Sequence, residues 1–355
     1  MNNSLLFFWL VLYYGGGGAG HVEMITRYKG AFIACLAFIC ILGFFLFFNQ
    51  SSKEKVYKVG IIIANEGRFD KVTGFMSGME ELGWHEGENI QYVMADLKKA
   101  DSNKEQELVG NLIKQKPDLI VTTGARETEM VRGQSRNIPI VFIGIASPAE
   151  WGMMQDVHTG EVTGIDNGQL KLIGKRMEVL IHIISHPKTL LVIGDTKALL
   201  TETAIQKASA SASRLGLNIE IKKVSSNEEL RDLLMHIQPG QYSALLPLPG
   251  YLLEDAITRS LPILKEKRLF VMGSYPEQVQ HGLFAAYGIS FVEQGRQAAS
   301  LTARMLSGHH DTVVRVETPN QIKLSVNQAA IHEIGLVLNE QQRTFVYGSS
   351  GEEQK

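Results

Sequence analysis

The sequence predicts an α/β fold: two Rossmann-like lobes with parallel sheets joined by a hinge, preceded by an N-terminal transmembrane helix. Three observations carry the lobes. Short apolar runs alternate with helical patterns through residues 59–143, the order that builds a doubly wound parallel sheet. The same alternation repeats through residues 190–272. A late helix and a late strand then follow two full lobes, which suggests that the chain crosses back between them.

The first lobe opens with the continuous apolar run VGIII at 59–63, the pattern of a central parallel strand. Val72, Phe75, Met76, Met79 and Leu82 recur at helical spacing, and Gly83 stands where a C-cap belongs. A strand at 90–93 precedes a capping box of Ser102 and Glu105, whose helix carries Leu108, Val109, Leu112 and Ile113 on one face. A buried strand at 119–121 stops at Gly124, a helix follows over 127–134, and 140–143 is the next strand. The second lobe repeats this plan: strands at 190–193, 219–224, 244–246 and 269–272, with helices at 199–215, from Ser226 to about 236, and at 252–267. A helix over 170–183 links the lobes. After the stretch LFAAY at 283–287 comes a third capping box, Ser290 with Glu293, whose helix closes at Gly308. A strand at 322–326 and a short helix over 328–334 complete the pattern. The expected division is lobe 1 from 56–166 plus about 289–308, lobe 2 from 167–287 plus about 310–340, and a polar tail over 341–355.

The chain has 355 residues, enough for two lobes with real cores. A formal charge of −2 gives no basic stripe for nucleic acid. The two cysteines, Cys35 and Cys40, both fall in the N-terminal apolar segment, so the rest of the chain can form neither a disulfide nor a thiolate metal site. Residues 31–48 are apolar and uncharged, long enough to span roughly 30 Å of hydrocarbon as a transmembrane anchor or signal. Arg27 and Lys29 precede them, which places residues 1–30 in the cytoplasm and the lobes outside. The closing FFLFF at 44–48 lacks the small residues of a cleavage site and favours an uncleaved anchor. Met24 is a second candidate start.

Four stretches resemble a known family. They are GFMSGMEELG at 74–83 with Glu86, Gly87 and Asn89; Lys116, Pro117, Asp118 and Gly124 with IPIVF at 138–142, Ser147, Pro148 and VTG at 162–164; GLFAAY at 282–287 with EQGRQAA at 293–299; and Val326, Asn327 and AIHEIG at 330–335. In this order they resemble the ABC-transporter substrate-binding proteins that include tryptophan- and tyrosine-binding lipoproteins, with the type I periplasmic-binding-protein fold. The resemblance covers about residues 56–338. It implies two hinged lobes closing on a small ligand. The ligand's carboxylate and amine would be held by hydroxyls and backbone amides at strand ends, with an acidic or polar residue from the second lobe. The chain departs from that pattern in three places. Ala125 and Arg126 follow the glycine where a hydroxyl is usual, Ser147 precedes the proline where Asp is usual, and LPLPG stands at 246–250 where the family supplies an Asp.

Ligands of open α/β sheets bind beyond the carboxyl ends of the strands, so the candidate site residues are those that follow strands. Gly124, Ala125 and Arg126 could offer amides and a guanidinium to a carboxylate or phosphate-like group, or form a glycine turn with a solvated arginine. Ala146 and Ser147 share that edge, although Pro148 could simply make a turn. Asn65 to Phe69 follow the first strand, where Phe69 could cap an aromatic ligand or pack in the core. In the second lobe the candidates are Asp195 and Thr196, Pro249 and Tyr251, Ser274, Tyr275 and Tyr287; Tyr275 and Tyr287 stand out because a ring with a polar tip suits a closing cleft, although Tyr275 could simply pack over Pro276. No Walker loop, Gly-x-Ser-x-Gly elbow or zinc-protease helix occurs, and His309 and His310 have no third ligand nearby in sequence. No enzyme activity, metal or cofactor is therefore expected. The expected function is an extracytoplasmic solute-binding protein that presents its ligand to an ABC permease; the alternative is a membrane-anchored sensor subunit for a signalling partner.

Overall fold

A computed structural model describes residues 55–98, 100–184, 187–308 and 315–350, together with Phe38. The expected membrane segment therefore lies outside the described residues except for Phe38, as do Cys35, Cys40, His309 and His310. Among the described residues no helix is long and apolar enough to cross a membrane.

Two sheets organise residues 56–350. The first contains β1 (Tyr57–Ile63), β2 (Ile90–Asp96), β3 (Leu119–Thr122), β4 (Ile140–Ile145) and β5 (Val162–Asp166), in the order β2-β1-β3-β4-β5. All its neighbours are parallel, with Val59 facing both Tyr92 and Leu119. Strands β3 and β4 are buried along their whole length, which is why they read as unbroken apolar runs rather than alternating ones. The crossovers are α1 (Phe69–Glu81), α2 (Ser102–Lys114), α3 (Ala125–Gln134) and the short α4 (Met154–Thr159).

The second sheet contains β6 (Thr189–Asp195), β7 (Asn218–Val224), β8 (Ala244–Pro247), β9 (Phe270–Gly273), β10 (Ala285–Gly288) and β11 (Lys323–Val326), in the order β11-β10-β9-β8-β6-β7. It is parallel except for β11, which pairs antiparallel with β10. Around it lie α5 (Gln169–Ile183), α6 (Thr201–Leu215), α7 (Asn227–His236), α8 (Tyr251–Arg259), α9 (Leu261–Glu266) and α10 (Pro276–Gln280). The remaining helices are α11 (Phe291–Leu306), α12 (Gln328–Glu333) and α13 (Glu340–Ser350).

The chain passes between the sheets three times. Helix α5 buries Ile173, Met177 and Leu180 in the second core. Helix α11 brings Ala298, Ala299 and Leu301 back into the first. Glu317 then pairs with Ile165 beside β5 before the chain reaches β11. The packing of α11 on α1 depends on missing side chains. A Cβ on Gly74 would stand 2.1 Å from the Val292 carbonyl oxygen, and one on Gly295 would stand 2.1 Å from that of Lys71.

Several elements differ from the sequence expectation. The helix expected over 252–267 breaks at Ser260, because Pro262 near the start of α9 supplies no N–H to continue it. The cap of α2 is Asp101, whose side chain accepts from the Lys104 N–H, rather than Ser102. This frees Glu105 to pair with Arg126. Residues expected to be a polar tail form α13, where Phe345 stacks on His182 at 4.8 Å and the Gln342 amide donates to the Ile183 carbonyl at 2.8 Å.

Candidate functional site

The carboxyl ends of both sheets face one cleft of about 970 Å³. Lobe 1 lines it with residues following β3 and β4, among them Ala125, Arg126 and Ala146. Lobe 2 lines it with residues that follow β6, β8 and β9, among them Asp195, Pro249, Tyr251, Ser274 and Tyr275.

These eight are the sequence candidates that line the cleft; the other six sit elsewhere. Asn65 turns its side chain to the Arg68 N–H at 3.0 Å, capping the turn before α1. Phe69 is 51 % exposed and lies near the Lys98 ammonium, 6.0 Å from ring centre to nitrogen. Gly124 underlies the Arg68 guanidinium, where a Cβ would meet Nη1 at 2.1 Å. Ser147 adopts φ 52 with its N–H directed at the Asp166 carboxylate, 3.3 Å away. The Thr196 N–H donates to the Val224 carbonyl, and Tyr287 packs its ring on the second core. Arg126 lines the cleft, but its charge is engaged by Glu105 and its guanidinium lies over the Tyr251 ring at 5.5 Å.

A buried charge network that sequence reading missed runs through the cleft. Arg68 donates through Nη1 to Glu127, at 3.2 and 3.1 Å, and through Nε and Nη2 to Glu254 at 2.9 and 2.7 Å. Glu127 belongs to α3 of lobe 1 and Glu254 to α8 of lobe 2, so one guanidinium ties the lobes together. Burial disfavours its charge, but the Glu254 and Glu127 carboxylates outweigh that and raise its pKa. For Glu254, burial pushes the pKa up, while Arg68 and Lys71 more than offset it and leave the group below its ordinary range. Tyr251 adds a second tie: its hydroxyl donates to the Ala64 carbonyl at 3.2 Å, and its ring lies 5.2 Å from the Arg68 guanidinium carbon.

Beneath this network Lys71, fully buried, donates to the carbonyls of Thr123 at 2.8 Å and Ile143 at 2.9 Å. The amine thereby joins the ends of β3 and β4. Burial and then Arg68 lower its pKa to about 8, against the opposing pull of Glu254, Glu127 and Glu277. Between about 8 and its ordinary 10.5 the unfolded chain therefore binds more protons than the folded one, and stability should rise with pH. The rise is expected to total roughly 3 kcal/mol. Urea unfolding across that range checks it: Lys71→Met should flatten the profile, whereas an unchanged slope in the variant would assign the effect to another group.

The hinge side is polar and buried. Asn167 donates to the Gly144 carbonyl at 3.0 Å and accepts from the Gln169 N–H at 3.2 Å. Gln169, at the first position of α5, lines the cleft, and its amide nitrogen has no partner. Trp151 lines it too, with its indole N–H unpaired. Among the described residues no cluster of three or more His, Cys, Asp or Glu side chains could hold a metal ion.

A sequence family described as ABC transporter substrate binding protein matches residues 57–344. No curated protein matches the chain. Among solved structures, a conserved domain protein from Vibrio cholerae superposes with a TM-score of 0.73 at 17% identity, covering 84% of this chain and 99% of its own. The ABC domain from Streptococcus pneumonia in complex with L-Trp gives 0.73 at 16% identity with the same coverages, 84% and 99%. A ligand-free, open substrate binding protein with adhesive properties from Clostridium difficile gives 0.60 at 19% identity, covering 80% and 97%. At these identities the structures establish a shared fold.

Proposed function

This chain belongs to the ABC transporter substrate binding protein family, and from that premise we propose that it captures a small ligand, an amino acid or a related small polar or aromatic molecule, between its lobes and presents it to an ABC permease. The observation that carries the reading is the cleft itself: about 970 Å³, bounded by the carboxyl ends of two parallel sheets whose lobes are joined by three chain crossings. That volume lies at the upper end of small-molecule sites. The L-Trp bound by the streptococcal relative supports the amino-acid class. Binding would act by population shift, since a ligand touching both lobes stabilises their closed arrangement. The proposed location is the outer face of a membrane, anchored through 31–48.

Differential scanning fluorimetry against the amino acids, starting with L-tryptophan, tests the reading. A ligand at a hundredfold its Kd should add ~2.7 kcal/mol to stability. Uptake of that ligand by cells should then depend on the chain. A ligand that binds without dependent uptake would remove the permease from the proposal, and the absence of any shift across the panel would remove the amino-acid class.

A further inference from the structure

Two side chains of lobe 2 reach across the cleft to lobe 1, and both leave the first turn of α8. Tyr251 and Glu254 are three residues apart in that helix, so they share one of its faces. Glu254 accepts from Nε and Nη2 of Arg68. Tyr251 donates to the Ala64 carbonyl, and its ring meets the guanidiniums of both Arg68 and Arg126, at 5.2 and 5.5 Å.

Both ends of this fastening are firmly mounted. In lobe 2 the turn is pinned to β6 and β9. Asp195 accepts from the Leu252 N–H at 3.1 Å and packs on Gly250, where a Cβ would stand 2.7 Å from its own. Gln278 donates to the Glu254 carbonyl at 3.0 Å and accepts from the Ser274 and Tyr275 N–H groups at 2.8 and 3.1 Å. In lobe 1 Glu127 holds Nη1 of Arg68, and the guanidinium lies on the bare backbone of Gly124. The hinge side has its own bonds: Arg176 of α5 donates through Nε to the Tyr287 carbonyl at 2.8 Å, and Glu277 of α10 accepts from the Ser290 hydroxyl and Phe291 N–H at the start of α11, at 2.6 and 2.7 Å. A buried ion pair holds two bodies together only where its bonds outweigh the cost of burial. Here they do, since the Glu254 carboxyl stays below its ordinary range although burial pushes it up.

We infer that the first turn of α8 is a built-in latch, and that the chain rests closed before any solute enters. The inference goes beyond the solute-binding reading and does not depend on which molecule the cleft admits. Each of these crossing bonds joins the chain to itself. A solute would therefore add to a closure that the latch already favours by at least about tenfold, rather than create it. Closed shape alone would then not report that a molecule is inside.

Electron-spin distance measurements on the full chain test it, in a background with Cys35 and Cys40 replaced by serine. Nitroxides at Asn103→Cys on α2 and Arg231→Cys on α7 read the gap, because both positions are exposed and both helices begin with cleft-lining residues, one in each lobe. After extensive dialysis and with no solute added, the chain with Tyr251 and Glu254 in place should give one short distance. Glu254→Gln should move most of the population to a longer one, and Tyr251→Phe, which keeps the ion pair, a smaller share. A mainly long distance with both residues in place overturns the inference, and so does a distribution that Glu254→Gln leaves unchanged. If circular dichroism shows that Glu254→Gln does not fold, Tyr251→Phe decides alone, and no shift there overturns the latch. Solute binding is read separately by fluorimetry, so a failed latch leaves that reading intact.

Discussion

Arg68→Met is expected to destabilise the protein by about 3–5 kcal/mol, because it strands two buried carboxylates at once. Glu127 is fully buried and would keep the Thr123 hydroxyl as its remaining side-chain donor. Glu254 would lose both of its guanidinium bonds. The sign of the pH dependence distinguishes this cause from lost packing. In the variant burial would still push the Glu254 pKa up while the Arg68 charge that holds it down would be gone, so its folded value would rise above the unfolded one and protonation would favour folding. The deficit should therefore shrink as pH falls from about 7 toward about 5. Guanidinium unfolding of both proteins at the two pH values reads it, and a deficit independent of pH would mean that the aliphatic stem of Arg68, not its charge, had been stabilising the fold.

Gly74→Ala should cost about 3 kcal/mol or more, at the top of the range for overpacking. The added methyl meets backbone, not a side chain that could turn away: the Val292 oxygen at 2.1 Å, with its carbonyl carbon and Cα both at 2.7 Å. Helix α1 would have to lift from α11, the segment that returns from lobe 2. Gly295→Ala, facing the Lys71 oxygen at 2.1 Å and the Phe75 nitrogen at 2.6 Å, should cost as much. Gly133→Ala is the control. It lies within α3 and a Cβ there meets nothing within 4 Å, so helix propensity alone should act and stabilise by about 0.5–1 kcal/mol. Thermal melts of the three variants in one buffer give the ranking, and comparable Tm values for Gly74→Ala and Gly133→Ala would contradict the close helix contact.

The sequence made most of the fold legible, since strands buried on both faces leave unbroken apolar runs and capping residues mark helix starts locally. Ser226 and Ser290 do cap their helices, with side chains accepting from the Glu229 and Glu293 N–H groups. The cleft was half legible: position after a strand pointed to Ala125, Ala146, Asp195 and Ser274, and these four line it. Position cannot say where a side chain turns, so Asn65 and Thr196 shared the same signal. The charge network was illegible for a different reason. Arg68 and Glu254 stand 186 residues apart, and Arg176 and Tyr287 stand 111 apart, so no local pattern relates them. One signal was available: Arg68 and Lys71 precede or interrupt the apolar face of α1, where a charged side chain on the buried side of a helix calls for a partner elsewhere.

The ties across the cleft have a kinetic consequence. Glu254 on Arg68 and the Tyr251 hydroxyl on the Ala64 carbonyl are bonds of the chain to itself, and an arriving molecule must wait for them to part. Association should then be gated, with an observed rate that levels off as solute concentration increases. Traffic through such a cleft is timed by how often the protein unlatches.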